Sequence, residues 1–147
     1  MDLSAIDISA GGMRAQRLRM DLIAANLANV DTTSAREELR RTADGQSYVQ
    51  HHPYRRKMAL LLQGAGGVPV AKVIEDRSAF RAEIQPGHPH AVPSLSGDTD
   101  AGTVYFPNVN PMVEMVDMIA ASRAYEANLT AVEVAKAMNQ SALRILG

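Results

Sequence analysis

The C-terminal quarter of the chain constrains the fold more than any other feature, because Met112–Leu146 contains neither glycine nor proline. Asn110 is a suitable N-cap, and Pro111 stands at the first helical position, where its missing N–H does no harm. Alanine, the strongest helix former, recurs along the segment, and Gly147 follows it. At about 1.5 Å per residue, the sequence predicts one nearly continuous helix of roughly 50 Å.

Apolar side chains cover most of the circumference of this predicted helix. They are Met115, Met118, Ile119, Leu129, Val132, Val134, Met138, Leu143 and Ile145. The polar strip that remains is narrow and lies near Glu126, Thr130, Glu133, Gln140 and Arg144. Since an ordinary surface helix is apolar on one face only, a single partner helix cannot cover this surface. The pattern predicts a helix with several neighbours.

The N-terminal segment carries a second helical pattern. Apolar residues recur every seven positions at Ile6, Met13, Met20 and Leu27. Ile23 and Val30 follow Met20 and Leu27 by three positions, which is the spacing of a coiled-coil seam. Gly11 and Gly12 interrupt the pattern and each cost about 1 kcal/mol relative to alanine. The sequence therefore predicts a helix that is weak on its own.

The middle of the chain has the pattern of strands. Residues 54–62 and 68–74 flank the glycine-rich segment 64–67 and predict a hairpin. Apolar residues at every second position from Phe80 to Ile84 predict a third strand, and a loop to about Gly102 precedes a short extended segment at 104–106. Residues 32–52 are polar and mixed in charge, and their pattern leaves open whether they extend a helix or stay mobile.

Together these patterns predict a mainly α fold with a small β insert, in which the long terminal helices pack as a coiled-coil-like pair. The predicted domain division has four parts. They are an N-terminal axial helix at 1–33, a variable linker at 34–53, a small β-rich outer domain at 54–106, and a C-terminal axial helix at 107–147.

Composition argues against several classes of function. The formal net charge of −1 gives no broad field to attract nucleic acid. Cysteine is absent, which excludes disulfides and thiolate catalysis. The longest unbroken apolar run, Met58–Leu62, is far shorter than the roughly 20 residues of a membrane helix, and the N-terminus lacks the pattern of a cleaved signal peptide.

The four histidines are the best candidates for a metal or catalytic site. His51 and His52 are adjacent, while His88 and His90 alternate in a proline-rich stretch, and no helical His-x-x-x-His spacing is present. We interpret all four as solvated loop side chains. We therefore expect no catalytic residue, no metal and no cofactor.

Two asparagines near the end of the first predicted helix allow two interpretations of their role. Asn26 and Asn29 share one helical face. They either belong to a fraying helix C-terminus, where asparagine tolerates left-handed geometry, or specify the alignment of neighbouring helices through buried amide hydrogen bonds.

Both ends of the chain also resemble a known family. Residues 20–32 (MDLIAANLANVDT) resemble the N-terminal signature of bacterial flagellar axial proteins, the rod and hook family. Residues 107–119 (PNVNPMVEMVDMI) and 121–129 (ASRAYEANL) resemble that family's C-terminal helix. Residues 53–57, 67–75 and 85–91 resemble segments of its short proximal-rod members, and only residues 32–52 match poorly.

The resemblance implies a structural subunit of the flagellar basal-body rod, which is not an enzyme. It implies polymerisation through the terminal helices with copies of itself and other rod proteins, and transmission of motor torque. It also implies export by the flagellar type III apparatus without a cleaved signal peptide, location in the periplasmic rod, and no membrane span, nucleic acid or small-molecule substrate. In the family, the paired terminal helices pack into an inner tube and the intervening part lies outside.

The expected assembly interface combines the family motifs with the apolar stripes of the two helices. It comprises Met13, Met20, Ile23, Asn26, Leu27, Asn29, Glu114, Met115, Met118, Arg123, Tyr125, Asn128, Leu129 and Val132. One departure from the family pattern is Ala25, where many relatives have a further asparagine.

Two other classes of protein compete with this interpretation. A soluble coiled-coil adaptor that binds a single partner would stop at a defined complex, whereas a rod subunit forms open-ended assemblies. A histidine-dependent metal enzyme, the weaker alternative, would contain stoichiometric metal.

Overall fold

The computed structural model describes residues 3–41, 45–64, 67–93 and 100–146. Within these ranges the chain forms two helices and six strands. The helices are α1 (Leu3–Ala28) and α2 (Pro111–Leu146). The strands are β1 (Arg36–Arg41), β2 (Ser47–His52), β3 (Lys57–Gln63), β4 (Pro69–Glu75), β5 (Arg81–Ile84) and β6 (Thr103–Phe106).

The helix predicted at the C-terminus is confirmed: α2 begins at Pro111 and continues without a break to Leu146. Glu114 lies in its first turn and Arg144 in its last, so both charges complement the helix dipole. The N-terminal helix is also confirmed, because α1 continues through Gly11 and Gly12 despite their low helix propensity.

The prediction of a mainly α fold with a small β insert is wrong. The structure is about 46% helix and 26% strand, and three antiparallel two-stranded sheets lie between the helices in sequence. The difference comes largely from residues 36–52, which pair as the hairpin β1–β2 with Arg36 opposite His52 and Leu39 opposite Val49. Because most of these residues are polar and exposed, no apolar alternation marks the strands in the sequence.

The other strands lie close to where the sequence predicts them. β3 and β4 form the predicted hairpin, and β5 is the predicted third strand. The short extended segment is β6, which pairs with β5 so that Ala82 lies opposite Tyr105. That pairing joins two strands across the long loop after Ile84 and is not evident from local sequence.

The chain divides into two compact units, each built from separated stretches of sequence. We call the first the helical unit; it comprises Met1–Ala24, Lys57–Ile74 and Met112–Gly147. We call the second the sheet unit; it comprises Ala25–Arg56 and Glu75–Pro111. In the parts of the chain that are described, neither helix combines the length and apolar character that crossing a membrane requires.

Candidate assembly surface

The two long helices pack against each other within the helical unit. Gly12 of α1 lies beside Asn128 of α2, and Arg19 forms an ion pair with Asp117 at 2.9 Å. Since moving forward along α1 means moving backward along α2, the helices are antiparallel. The two ion-pair side chains are 34% and 32% exposed, so solvent screening leaves the pair a modest contribution to stability.

The glycines of α1 mark two close approaches rather than only a weak point in the helix. A Cβ on Gly11 would lie 2.5 Å from Val68 Cγ1 and 3.1 Å from Pro69 Cδ. A Cβ on Gly12 would lie 2.8 Å from the amide oxygen of Asn128. Adjacent glycines therefore let α1 approach the β3–β4 hairpin on one side and α2 on another. The sequence shows the glycines but not the partners that require them.

Several residues of the predicted interface meet in a groove between the two helices. Met20 of α1 and Met118 and Tyr125 of α2 line this groove together with Arg17, Asp21 and Ala24. Ile23 of α1 and Ala121 of α2, which are close in sequence to these residues, are buried. The apolar stripes predicted from the sequence thus meet in part within one chain.

Other residues of the predicted interface differ in burial along the two helices. Glu114 is fully buried, whereas Met115, Arg123 and Leu129 are exposed. Met13 and Val132 are half-buried. The structure therefore does not gather all fourteen residues at one place, and the exposed members leave apolar surface on α2 open to neighbours.

The end of α1 is held by asparagine side chains within the sheet unit. The buried Asn26 Oδ1 accepts a hydrogen bond of 3.0 Å from the Tyr54 hydroxyl. Asn29 Nδ2 donates to the carbonyl of Ala25 at 2.8 Å, and the Thr32 hydroxyl donates to Asn29 Oδ1 at 3.1 Å. The Ala25 carbonyl also accepts the backbone N–H of Asn29 at 3.2 Å, so the Asn29 side chain adds a second hydrogen bond at the end of the helix. Leu27, between the two asparagines in sequence, is half-buried. Whether Asn26 also sets the alignment of neighbouring subunits stays a prediction.

The histidines are more organised than the sequence suggests. His51 and His52 lie on β2 rather than on a loop, and the rings of His51 and His90 stack with centroids 4.4 Å apart. Thr33 Oγ1 and His90 Nδ1 are 2.7 Å apart, and His52 Nε2 lies 3.0 Å from Glu38 Oε2. Among the described residues, no cluster of His, Asp or Glu has the arrangement of a metal site.

Asn108 organises a polar network in the sheet unit that the sequence analysis missed. Its Oδ1 accepts from the backbone N–H of Arg56 at 2.9 Å. Its Nδ2 donates to the carbonyl of Asp76 at 3.2 Å and to the Ser78 hydroxyl at 2.8 Å. One side chain thus ties together the segments that follow β4 and β6 and the segment that precedes β3. The only sequence signal was its place in the motif at 107–119.

The carboxyl group of Asp76 is bound into the same network. The backbone N–H of Ser78 donates to Asp76 Oδ1 at 2.8 Å, and Arg56 lies 3.6 Å from Oδ2. Hydrogen bonds from Ser78 and then the Arg56 charge lower the pKa of Asp76 below its ordinary value.

Models of two known protein families match the segments that contain the two helices. Residues 6–36, which include most of α1, match the model of the family described as flagella basal body rod protein. Residues 100–145, which include β6 and nearly all of α2, match the model described as flagellar basal body rod FlgEFG protein C-terminal. The packed terminal helices and these matches define a class, the axial proteins of the bacterial flagellum.

Full-length relatives narrow the class to one family. The chain is 42% identical to the flagellar basal-body rod protein FlgC of Borreliella burgdorferi, covering 97% of this chain and 96% of the relative. It is 38% identical to FlgC of Bacillus subtilis over 96% of this chain and 95% of the relative. It is 35% identical to FlgC of Salmonella typhimurium over 92% of this chain and 91% of the relative. The chain belongs to the FlgC family of flagellar basal-body rod proteins, and it is a structural rod subunit.

Proposed function

We propose that the chain polymerises through its terminal helices, with copies of itself and with other rod proteins, as a subunit of the proximal rod that transmits motor torque. The observation that carries this proposal is the exposed apolar surface at the start of α2. Met112, Val116 and Ile119 are large and apolar, yet more than half of each is exposed. Covering apolar surface is worth about 25 cal/mol per Å², so this part of the helix favours association with neighbours.

The proposed interface has an inner part and an outer part. Met20, Met118 and Tyr125 lie in the groove between α1 and α2, where they shape the helix pair. Met115 and Leu129 are exposed and are therefore available to other subunits. We assign residues 1–33 and 107–147 to the axial core, together with residues 57–74, which belong to the helical unit. We assign residues 75–106 to an outer β-rich part and residues 34–53 to the connection.

Two further features follow from the family resemblance. We propose that the flagellar type III apparatus exports the chain without a cleaved signal peptide, and that the assembled subunit lies in the periplasmic space.

A charge placed on the exposed surface of α2 tests the proposed function. In cells that lack the native gene copy, Ile119→Asp should abolish motility and incorporation into purified basal bodies, because a carboxylate would lie in an apolar contact. The matched control is Leu39→Asp on β1, a residue that is 72% exposed and lies outside the helices. Normal motility with Ile119→Asp would contradict polymerisation through this surface.

The adaptor alternative makes a different prediction for purified protein. An adaptor would stop at a complex of defined mass, whereas a rod subunit mixed with its neighbours should form assemblies whose mass grows with concentration. Sedimentation velocity over a range of concentrations separates the two outcomes. A single limiting mass under all conditions would favour the adaptor.

A further inference from the structure

Three of the four histidines form one cluster inside the sheet unit. The ring centroids of His51 and His90 are 4.4 Å apart, and those of His88 and His90 are 5.2 Å apart. His51 belongs to β2, whereas His88 and His90 belong to residues 85–92, which we call the histidine loop. The cluster therefore joins the histidine loop to the β1–β2 hairpin.

Two hydroxyl groups add hydrogen bonds to this contact. Oγ1 of the buried Thr33 lies 2.7 Å from His90 Nδ1, and Ser34 Oγ lies 2.9 Å from His51 Nδ1. A hydroxyl group can donate or accept, so it can bond to a ring nitrogen with or without a proton. Any dependence of the contact on pH must therefore come from the other interactions of the cluster.

One hydrogen bond of the cluster exists only while its ring is neutral. The backbone N–H of His90 donates to His88 Nδ1 at 3.1 Å. Both ring nitrogens of a protonated histidine carry hydrogens, so a protonated His88 offers no acceptor to this N–H. Protonation of His88 consequently breaks a bond that fixes the turn of the histidine loop.

The stacked rings of His51 and His90 favour the neutral state for a second reason. Two protonated rings at this distance repel each other. The His51 side chain is only 17% exposed, so water screens the repulsion less than it would at an open surface. Docking of the loop therefore disfavours a second positive charge on this pair.

The carboxylate beside His51 does not cancel this effect. Glu37 Oε1 lies 3.7 Å from His51 Nδ1, and the two residues pair across the β1–β2 hairpin. Their attraction is thus present whether or not the loop is docked. Arg41, four positions further along β1, lies on the same face of the hairpin. In the described part of the chain, neither His88 nor His90 forms an ion pair with a carboxylate.

The remaining charged groups of the neighbouring strands lie on another face or have partners of their own. Arg36, Glu38 and His52 share the face of the β1–β2 hairpin opposite to His51. Arg81 and Glu83 of the β5–β6 sheet form an ion pair of 3.1 Å. Asp100 Oδ2 accepts a hydrogen bond of 2.8 Å from the Tyr105 hydroxyl. None of these contacts supplies a negative charge to the rings of the histidine loop.

We propose that His51, His88 and His90 form a pH-sensitive latch, which holds the histidine loop on the β1–β2 hairpin at neutral pH and releases it in mild acid. Histidine ordinarily changes its charge between about pH 5 and 8, and histidine clusters act as pH sensors at about pH 5 to 6. The docked loop binds fewer protons than the released loop, so docking is lost as the pH falls. Release uncovers Thr33 and leaves the strands paired. This inference does not depend on the proposed polymerisation.

NMR of the full-length chain tests the latch without any substitution. We expect the protection factor of the His90 amide, corrected for the intrinsic effect of pH on exchange, to fall at least about tenfold between about pH 7.5 and about pH 5.5. The NOE between the His51 and His90 rings should disappear over the same range. The amides of Leu39 and Val49, which pair in the β1–β2 hairpin, are the internal reference and should keep their protection.

Two outcomes of this measurement would overturn the proposal. Unchanged protection of the His90 amide would show that the contact does not respond to acid. An equal loss of protection at Leu39 and Val49 would show that acid unfolds the hairpin rather than releasing the loop.

Asparagine variants identify the responsible rings. In His88→Asn combined with His90→Asn, the side-chain oxygen at position 88 can accept the N–H of residue 90 and takes up no proton in this pH range. The amide at position 90 should therefore stay protected at both pH values. His52→Asn, on the opposite face of the hairpin, is the matched control and should keep the full response. A response that persists in the double variant, or that His52→Asn abolishes, would overturn the latch.

Discussion

The helical unit and the sheet unit are stabilised in different ways. In the sheet unit, hydrogen bonds between side chains and backbone close the structure, as Asn108 does with Arg56 and Asp76. In the helical unit, two glycines allow close packing of α1, while large apolar side chains such as Met112 stay exposed. Hydrogen bonds hold the segments of the sheet unit together, whereas α2 of the helical unit leaves apolar surface for neighbours. The comparison indicates that order in the helices depends on assembly more than order in the sheets does.

The largest expected effect concerns the free subunit. Isolated helices obtain most of their stability from packing, so the amides of α1 and α2 should exchange rapidly in dilute monomer. The amides of the β1–β2 and β5–β6 pairs should exchange more slowly. Their opening free energies should lie well above the roughly 0 kcal/mol that is typical of fraying segments.

Amide hydrogen exchange measured by mass spectrometry at low protein concentration checks this contrast. Assembled rods, in which neighbours cover the helices, serve as the control. Strong protection throughout both helices of the monomer would contradict coupled folding and assembly.

The next effect in size is expected at Gly12. In Gly12→Ala, a Cβ would lie 2.8 Å from the amide oxygen of Asn128, so that side chain must move. Overpacking costs about 1 to 3 kcal/mol, while alanine recovers about 1 kcal/mol of helix propensity. We expect a net loss of up to about 2 kcal/mol in the free energy of unfolding of the assembled protein.

Gly87→Ala is the matched control, because an added Cβ there meets nothing within 4 Å. Thermal unfolding of assembled material, followed by circular dichroism, compares the two variants with the original chain. A stabilised Gly12→Ala would show that the helices can separate slightly without loss.

A smaller effect is expected from Asp76 as the pH falls. Its pKa is lowered in the folded chain, so its contribution to stability is present above the unfolded-state pKa and is lost as the pH falls through the folded-state pKa. The acid side of the stability profile should therefore be less steep in Asp76→Asn than in the original chain.

Urea unfolding of the full chain at neutral pH and at about pH 3 measures this difference. Glu126→Gln, which changes an exposed carboxylate on α2, is the comparison variant. An Asp76→Asn profile parallel to that of the original chain would contradict the stabilising contacts with Ser78 and Arg56.

The smallest effect is expected from the histidines. Replacing all four with glutamine should leave incorporation into the rod nearly normal, because none of the four belongs to α1 or α2. Each lost hydrogen bond, such as that of His90 with Thr33, should cost about 0.5 to 1.5 kcal/mol at most. Basal-body purification and metal analysis check this, and assembly that only added metal restores would reveal a metal site.

Local patterns account for the parts of the fold that the sequence predicted well. Proline at the start of α2 and the absence of glycine and proline after it determine the helix without reference to any other segment. The hairpin β3–β4 was predicted for a similar reason, because two apolar runs flank a glycine-rich turn. Resemblance at both ends identified the family, which full-length relatives confirm.

Long-range contacts account for what the sequence analysis missed. β1 and β2 are polar strands whose pairing satisfies the backbone but leaves no apolar alternation to detect. His51 and His90 are far apart in the chain, and only the fold brings their rings together.

By itself, the sequence determined which segments are helical, where the apolar surface lies and to which family the chain belongs. Helix formation and apolar spacing depend on neighbours within a few residues, so they can be read locally. Only the tertiary structure decided that Gly11 and Gly12 are contact points, that Asn108 ties three segments together, and which apolar side chains of α2 stay exposed. Each of these depends on which distant groups share the same space, and that is a property of packing.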